Sequence, residues 1–437
     1  MIENSIYLLI YLFGFLVSLF CIRKSPRVGG DYFDISMFFL IPPSLSMIAL
    51  LSLTVINFDL TILKDHWLIF QSKNLLFEVS LLHLILNLSF ALTYLMATKF
   101  FYRNKVLRGQ EISNNFSGLA PWILLFIPIT YLYVLMGFPE IVDPSALKTH
   151  GLIHQFNTIV TKIFGLTLIV IMYLFVSKIK GRFYNLISLF SIVLITSIIF
   201  FYFGGTRGGL INFIIVASLL DTYKYQGNFI NKKLAILIFL GGAFIYSIIN
   251  CIESYIYGDG NIWFLLHVYE YQIFENTAKI LISVSQNSFT LFDGKSFTNA
   301  FLGLIPYQLR PIEIVPLNIW YLENYIPEMA GTGYGAAFSA IAEGYMNFKN
   351  WGVLLIGITF GLIASILKII RYKFGIIGGL IYASSVPLGY KMFRTDLRSI
   401  MFQIELGIII VIVTLVLIWM IRILLMRSHF ASLKYKR

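Results

Sequence analysis

The chain is poor in charged residues and in cysteine. Asp, Glu, Lys and Arg make up only 12% of its 437 residues and hydrophobic residues 58%, whereas soluble globular domains carry about 25% charged residues. Its two cysteines, Cys21 and Cys251, lie in or beside apolar runs. They read as small core residues, with neither a disulfide framework nor metal-ligand spacing. The composition excludes a soluble domain and predicts a polytopic membrane protein.

Motifs for nucleotide binding are also missing. The sequence has no Walker A segment, no Rossmann glycine fingerprint and no G-x-S-x-G elbow, so we do not expect nucleotide-driven chemistry. His150 and His154 have a spacing that suits a metal, but no Cys or HExxH pattern accompanies them. We interpret them as a solvated loop pair and predict no metal and no cofactor.

Apolar runs near the length of about 20 residues that spans a bilayer recur along the whole chain. The predicted fold is an all-α polytopic membrane protein, with residues 1–437 as one membrane domain. We predict about eleven transmembrane helices, near residues 5–22, 35–56, 76–97, 119–138, 158–177, 183–203, 208–220, 234–251, 352–369, 375–390 and 400–424. The first run follows a start without a basic segment and has no small-residue cleavage site, so we expect a retained helix rather than a signal peptide.

The net charge of +12 is distributed unevenly between the two predicted faces. When alternate loops are assigned to opposite sides, one side holds 21 of the 33 Lys and Arg residues. The positive-inside rule makes that side cytoplasmic, with the N-terminus outside and the C-terminus inside. The basic residues therefore report topology, and we expect no nucleic-acid partner.

One outer loop, residues 252–335, is far longer than the others, acidic and rich in Tyr and Trp. Long loops without a fold of their own are usually functional. Aromatic rings beside acids and amides suit sugar binding, but an interfacial aromatic belt has the same composition. The amphipathic segment Trp263–Ser283 predicts a helix that lies on the outer surface.

Arg207 is the most unusual cation in the sequence. It lies in Gly204-Gly205-Thr206-Arg207-Gly208-Gly209, between two apolar stretches. Charged residues at membrane depth are rare and usually face a cavity or a functional partner. The flanking glycines permit a broken helix and a close approach of the backbone. We predict that Arg207 binds an anionic lipid head group.

Further cations lie on the face that the positive-inside rule should deplete: Arg310 in the long loop, and Lys391, Arg394 and Arg398 before the last span. The last three have i, i+3, i+7 spacing, which places them on one face if the segment is helical. Converging guanidinium groups can hold a diphosphate without a metal. For Lys391 and Arg398, snorkelling to interfacial phosphates is the alternative.

Ser339, Glu343 and Asn347 recur every four residues and form a polar stripe on an otherwise apolar helix. Glu343, near the outer mouth of the ninth span, is a candidate general base or orienting group for a sugar hydroxyl. A structural ion pair between Glu343 and one of the arginines is the alternative. Asp396 competes with Glu343 for the role of base.

Four short segments resemble the Wzy-type O-antigen and oligosaccharide repeat-unit polymerases, including the enterobacterial common antigen polymerases. They are Gly204–Arg207, Phe301–Pro306 with Arg310-Pro311, Ile341–Phe348 with Gly352, and Phe393–Asp396. The matches fall between residues 200 and 400, while the first 200 residues match only in hydropathy. Lys349-Asn350 and Thr395 depart from the family pattern beside Glu343 and Asp396.

The resemblance implies a GT-C-type, metal-independent glycosyltransferase in the bacterial cytoplasmic membrane that acts on undecaprenyl-diphosphate-linked oligosaccharides. Arg207, Arg310 and Arg394 would bind the diphosphate. Glu343 or Asp396 would be catalytic.

Asn347 and Tyr345 would orient the acceptor sugar. The bilayer, a chain-length regulator and a flippase are the implied partners. An O-antigen ligase or a lipid-linked oligosaccharide flippase or transporter is the alternative function.

Overall fold

The computed structural model describes residues 2–26, 34–55, 68–103, 268–286, 288–305, 309, 311–312, 314–329, 338–373, 375–405 and 407–408. Several predictions fall outside these residues: the five spans between 119 and 251, Cys251, the histidine pair, Arg207 and Arg310.

The described part of the chain is mostly helical and contains no strand. In chain order its elements are α1 (Ile2–Lys24), α2 (Ile35–Val55), α3 (Leu68–Gln71), α4 (Lys73–Arg103), α5 (Val268–Ser285), α6 (Lys295–Leu302), α7 (Leu317–Tyr325), a 3-10 turn (Pro327–Met329), α8 (Ala340–Lys373), α9 (Gly375–Ser385), α10 (Leu388–Arg394) and α11 (397–405).

Four of these helices are long and apolar enough to cross a membrane. The segments that meet this criterion are Asn4–Lys24, Ile35–Ser52, Asn74–Phe101 and Ala340–Arg371. They coincide with the first, second, third and ninth predicted spans, so those helices are confirmed by the structure. The described residues thus have the architecture of a helical membrane protein.

The core forms where α8 lies along α4, because glycines on α8 let the two backbones approach closely. A Cβ atom at Gly361 would lie 2.7 Å from the carbonyl oxygen of Phe90. One at Gly357 would lie 2.8 Å from the carbonyl oxygen of Leu86. α1 packs on α4, and α10 packs on α2.

α5 is a helix, as the amphipathic pattern predicted, but it does not lie on the surface. Every side chain from 273 to 278 is buried, because α5 packs against α4 and α8. Glu275 is held there by the backbone N–H groups of Leu68 and Ile69, at 3.1 Å each. The expected surface position was therefore wrong for this segment.

α8 is interrupted near its start. Phe348 has φ −142° and ψ 30°, and Lys349 has φ 51° and ψ −135°, so the chain turns sharply between residues 347 and 350. The short arm, 340–347, then folds against the start of the long arm, 350–373. A Cβ atom at Gly344 would lie 2.7 Å from the backbone N of Val353, and one at Gly352 would collide with the Gly344 carbonyl oxygen.

A second break separates α10 from α11. α10 ends at Arg394, and Thr395 is extended, with φ −138° and ψ 163°. The Nζ of Lys391 donates to the Oε1 of Gln403 at 3.1 Å, so α11 runs back beside α10. The breaks in α8 and between α10 and α11 therefore lie at Lys349 and Thr395.

Candidate functional site

The short arm of α8 begins with a side-chain cap. The Oγ of Ser339 accepts the backbone N–H of Ile341 at 3.0 Å and that of Ala342 at 3.4 Å. This is the usual role of a serine at a helix N-terminus. The first member of the predicted polar stripe therefore starts the helix that carries the other two.

Glu343 is buried, with 1% of its surface exposed. Its Oε1 accepts the hydroxyl of Ser296 at 2.8 Å, and its Oε2 accepts the backbone N–H of Leu397 at 2.7 Å. The carboxyl group therefore joins α8 to α6 and to the first turn of α11.

Asn347 completes this network one turn later. Its Nδ2 donates to the Ser296 hydroxyl at 2.7 Å and to the Glu343 carbonyl oxygen at 2.7 Å. Its Oδ1 accepts the backbone N–H of Gly294 at 3.0 Å. Gly294 has φ 85° and begins α6, so a residue with a Cβ atom would be strained there. Asn347 and Glu343 together fix α6 against α8.

Asp396 caps α11 and reaches the start of α7. Its Oδ1 accepts the backbone N–H of Ser399 at 3.2 Å, and its Oδ2 accepts that of Leu317 at 3.3 Å. The side chain is 2% exposed. Because Glu343 binds the N–H of the next residue, Leu397, two carboxyl groups meet at one helix N-terminus, where the helix dipole favours negative charge.

The basic residues before the last span do not share one helical face, because the helix ends at Arg394. Arg394 donates from Nη1 to the Tyr390 hydroxyl at 2.6 Å and lies over the Tyr390 ring. Arg398 donates from Nη1 to the Ile314 carbonyl oxygen at 3.0 Å. Lys391 and Arg398 thus make protein contacts that snorkelling alone does not require.

The predicted ion-pair alternative for Glu343 finds no support among the described residues, since no basic side chain there pairs with this carboxyl group. Arg207 and Arg310, two of the three predicted diphosphate ligands, lie outside the described residues. Arg394 is the third and is part of the same end of the helix bundle as Asp396.

Tyr345 is almost fully buried, and its phenol adjoins the carboxyl group of Glu78 on α4. Glu78 is exposed, unlike Glu343 and Asp396. Glu78 was not predicted as a site residue, although a lone acid inside a predicted span is a signal for function. Ser296, on α6, was not predicted either, since no sequence pattern marks it.

The arrangement offers one chemical capacity, that of a general base. A hydroxyl group already donates to Glu343 at 2.8 Å, which is the contact that a general base makes with an alcohol. The Leu397 N–H binds the other oxygen of that carboxyl group, and Asn347 holds Ser296 in place, so the carboxyl group has a fixed orientation.

A scan of protein-family models, a search of curated proteins and a search of solved structures return no match for this chain. Its function has to be inferred from its own residues and their geometry.

Proposed function

We propose that the chain is a polymerase that joins lipid-linked oligosaccharide repeat units into a surface polysaccharide, on the outer face of the bacterial cytoplasmic membrane. The observation that carries this proposal is the 2.7 Å hydrogen bond from the Leu397 N–H to Glu343. It joins segment 341–348 to the residue that directly follows segment 393–396, and the resemblance to Wzy-type polymerases rests on both of these segments. If the two segments resembled the family only by chance, nothing would require them to lie in contact.

The third segment adjoins the same place. Gly303, within the Phe301–Pro306 segment, lies against Arg398, because a Cβ atom at Gly303 would be 3.1 Å from the Arg398 Cγ. The guanidinium of Arg398 then bonds to Ile314, just after Arg310-Pro311. This proximity supports a common site for the outer-loop element and the two carboxyl groups.

For the fold, we propose about eleven spans and a GT-C-type architecture. The four membrane-length helices of the described part are compatible with that count. The inferred topology places Glu343 and Asp396 on the outer side, since Lys368, Arg371 and Lys373 end α8 on the basic, cytoplasmic side.

In the proposed reaction, a terminal sugar hydroxyl of one lipid-linked repeat attacks the anomeric carbon of the growing chain. The new glycosidic C–O bond replaces the bond to the diphosphate, and undecaprenyl diphosphate leaves with the electron pair. Arg207, Arg310 and Arg394 neutralise that leaving group, which needs no metal. The hydroxyl proton passes to Glu343, with the acceptor taking the place that the Ser296 hydroxyl holds.

Asp396 acts differently in this proposal. Both of its oxygens accept backbone N–H groups, so it positions the turn that carries Arg394 rather than taking a proton. Asn347 orients Glu343, and Tyr345 lies on the same short arm and orients the acceptor.

The test is glycan profiling of a strain that lacks the gene, complemented with wild type, Arg207→Ala or Arg394→Ala. We expect the polymer ladder to collapse to a single repeat, with lipid-linked repeats still made and still transferred to the final acceptor. Arg23→Ala, at the exposed basic end of α1, is the matched control and should leave the ladder unchanged.

Other outcomes would identify the alternatives. Long polymer stranded on the lipid carrier would indicate a ligase. Repeats trapped on the cytoplasmic leaflet would indicate a flippase or transporter, a class in which broken helices are common. A normal ladder from both arginine variants would overturn the proposed role of these residues.

A further inference from the structure

We propose that the outer corner of α8, together with α6, is a docking surface for the head groups of anionic phospholipids. The surface, here called the corner patch, consists of Lys295, Phe297, Phe301, Phe348, Lys349 and Trp351. The proposal concerns how the protein sits in its membrane and does not depend on the proposed reaction.

The long arm of α8 presents one exposed stripe, which defines its lipid-facing side. The stripe is formed by Trp351, Leu355, Leu362 and Ile366, and it ends at the exposed Lys373. The exposed large side chains of the stripe between Trp351 and Lys373 are all apolar. A rise of 1.5 Å per residue separates these two ends by about 33 Å, close to the roughly 30 Å of a bilayer core. With Lys373 at one boundary, Trp351 lies at the other.

The aromatic residues of the corner patch are exposed where a folded protein would otherwise bury them. Trp351 is 73% exposed, Phe301 58% and Phe348 38%. Phe297 contacts Phe348, with 6.2 Å between ring centroids, and Phe301 lies one turn after Phe297 on α6. Aromatic rings, Trp above all, favour the membrane–water boundary, so the patch has the side chains of an interfacial surface.

The charge of the surface selects the kind of lipid. Lys295 and Lys349 are exposed beside the aromatic rings, and Asp293 is the one exposed acid next to them among the described residues. Basic residues close to a bilayer surface are attracted to anionic lipids.

Lys349 also adopts φ 51°, a conformation that costs free energy for a residue other than glycine. Glycine would adopt it more easily, because it has no Cβ atom. Contact between the charge of Lys349 and lipid phosphate would explain why a lysine, rather than a glycine, stands at this strained corner.

The corner patch adjoins the candidate site. A Cβ atom at Gly294 would lie 3.0 Å from the Phe348 ring, and the N–H of Gly294 bonds to Asn347. Docking of the corner patch on head groups therefore places the Glu343 network at the level of the outer head-group region.

The decisive experiment measures the membrane depth of Trp351 in the full-length protein, reconstituted in bilayers with phosphatidylglycerol. A variant keeps Trp351 while Trp67, Trp122, Trp263, Trp320 and Trp419 become Phe. Lipids brominated near the head group should quench its fluorescence strongly, and lipids brominated at the chain centre should quench it weakly.

The matched control keeps Trp320 alone, a half-buried ring packed on Phe289 and Phe292, which neither lipid should quench. Strongest quenching of Trp351 by chain-centre bromine would overturn the proposal. So would quenching only by aqueous iodide, or protection from every quencher in a dimer of this chain.

A second measurement keeps all six tryptophans and so does not depend on the folding of the single-Trp variants. Phosphatidylglycerol should raise the Tm of the wild type above its value in phosphatidylcholine. Lys295→Gln with Lys349→Gln should lose most of that gain. Lys279→Gln, on buried α5, removes a charge away from the corner patch and should keep the gain. Equal gains in all three proteins would contradict the assignment of anionic lipid.

Discussion

The carboxyl group of Asp34 pairs with the ammonium group of Lys368 across 334 residues of sequence, with 2.8 Å between Oδ2 and Nζ. The Tyr94 hydroxyl lies 2.8 Å from Oδ1 and 2.7 Å from Oδ2 of the same carboxyl group. The backbone N–H of Ser36 donates to Oδ1 at 2.9 Å, so Asp34 also caps α2. One buried anion thus ties α2, α4 and α8 together at the end of the bundle opposite Glu343.

Asp34→Asn should destabilise the protein by about 3–5 kcal/mol, because it leaves the Lys368 ammonium buried without its counter-charge. Thermal unfolding in detergent, followed by helix content or by aggregation, measures the change. The double variant Asp34→Asn with Lys368→Met removes both charges and should recover much of the lost stability. If the double variant is as unstable as the single one, the loss comes from the altered hydrogen bonds of Asp34 with Tyr94 and Ser36 and not from the ion pair.

Stability should fall in acid because of the same group. Burial by itself raises the pKa of Asp34, but the Lys368 ammonium and the Ser36 donors hold that pKa well below its ordinary value. A depressed folded-state pKa gives stability that is present above the unfolded pKa, about 3.9, and is lost as pH falls towards the folded one.

The Tm difference between wild type and the Asp34→Asn, Lys368→Met double variant measures this contribution at each pH. We expect this difference to be constant from about pH 5 to 8. Below about pH 4 the Tm of the wild type should fall relative to that of the double variant, because the carboxyl group of the unfolded chain then binds a proton. A difference that stays constant down to about pH 3 would show that Asp34 has no depressed pKa.

Gly352→Ala should open the corner of α8. Its added methyl group would collide with the Gly344 carbonyl oxygen, which is backbone and cannot move aside without separating the two arms. We expect a loss of about 1–3 kcal/mol or more, as in overpacked cores, measured as a drop in Tm. Gly407→Ala is the matched control, since its methyl group would lie 3.8 Å from the Ser384 Oγ, in ordinary contact.

The membrane-length helices could be predicted from the sequence because length and apolarity alone determine them. The runs near 76–97 and 352–369 lie inside α4 and α8. The two breaks could not be predicted, because each depends on tertiary packing: the turn at Lys349 exists where Gly344 meets Gly352. The burial of α5 was missed for a related reason, since an amphipathic pattern does not say what covers the apolar face.

Part of the site could also be predicted. The stripe of Ser339, Glu343 and Asn347 follows from helical spacing, and the structure places all three in or beside one network. The partner of Glu343 could not be found, since Ser296 is 47 residues away, on α6. The spacing of Lys391, Arg394 and Arg398 misled the prediction of a shared face because the helix stops at Arg394.

Asn347→Ala should loosen α6 and the site together. It removes the Nδ2 donor to Ser296 and the acceptor of the Gly294 N–H, and buried groups left unpaired cost about 1–3 kcal/mol each. We expect a lower Tm and shorter polymer. Asn324→Ala, at an exposed position in α7, should change neither the Tm nor the length of the polymer. Unchanged Tm in Asn347→Ala would show that the network does not hold α6 in place.

Glu343→Gln separates a proton acceptor from a structural support. Glutamine has the same shape, its Oε1 can accept the Leu397 N–H, and its amide can donate to the Ser296 Oγ, so we expect a Tm close to wild type. The amide cannot take the proton of an acceptor hydroxyl, and general-base catalysis is typically worth about 100-fold or more. Polymer formation should therefore fall by at least that factor, read from the glycan ladder.

Glu323→Gln, an exposed glutamate on α7, controls for the change itself. Glu78→Gln tests the remaining carboxyl group near Tyr345 and should retain polymer if Glu343 is the base. Should Glu343→Gln make a normal ladder while Glu78→Gln makes none, the proton acceptor is Glu78, and Glu343 serves only to hold α6 and α11 in register. Full ladders from both variants would show that neither Glu343 nor Glu78 acts as a general base, since each variant lacks one of the two carboxylates and still makes polymer.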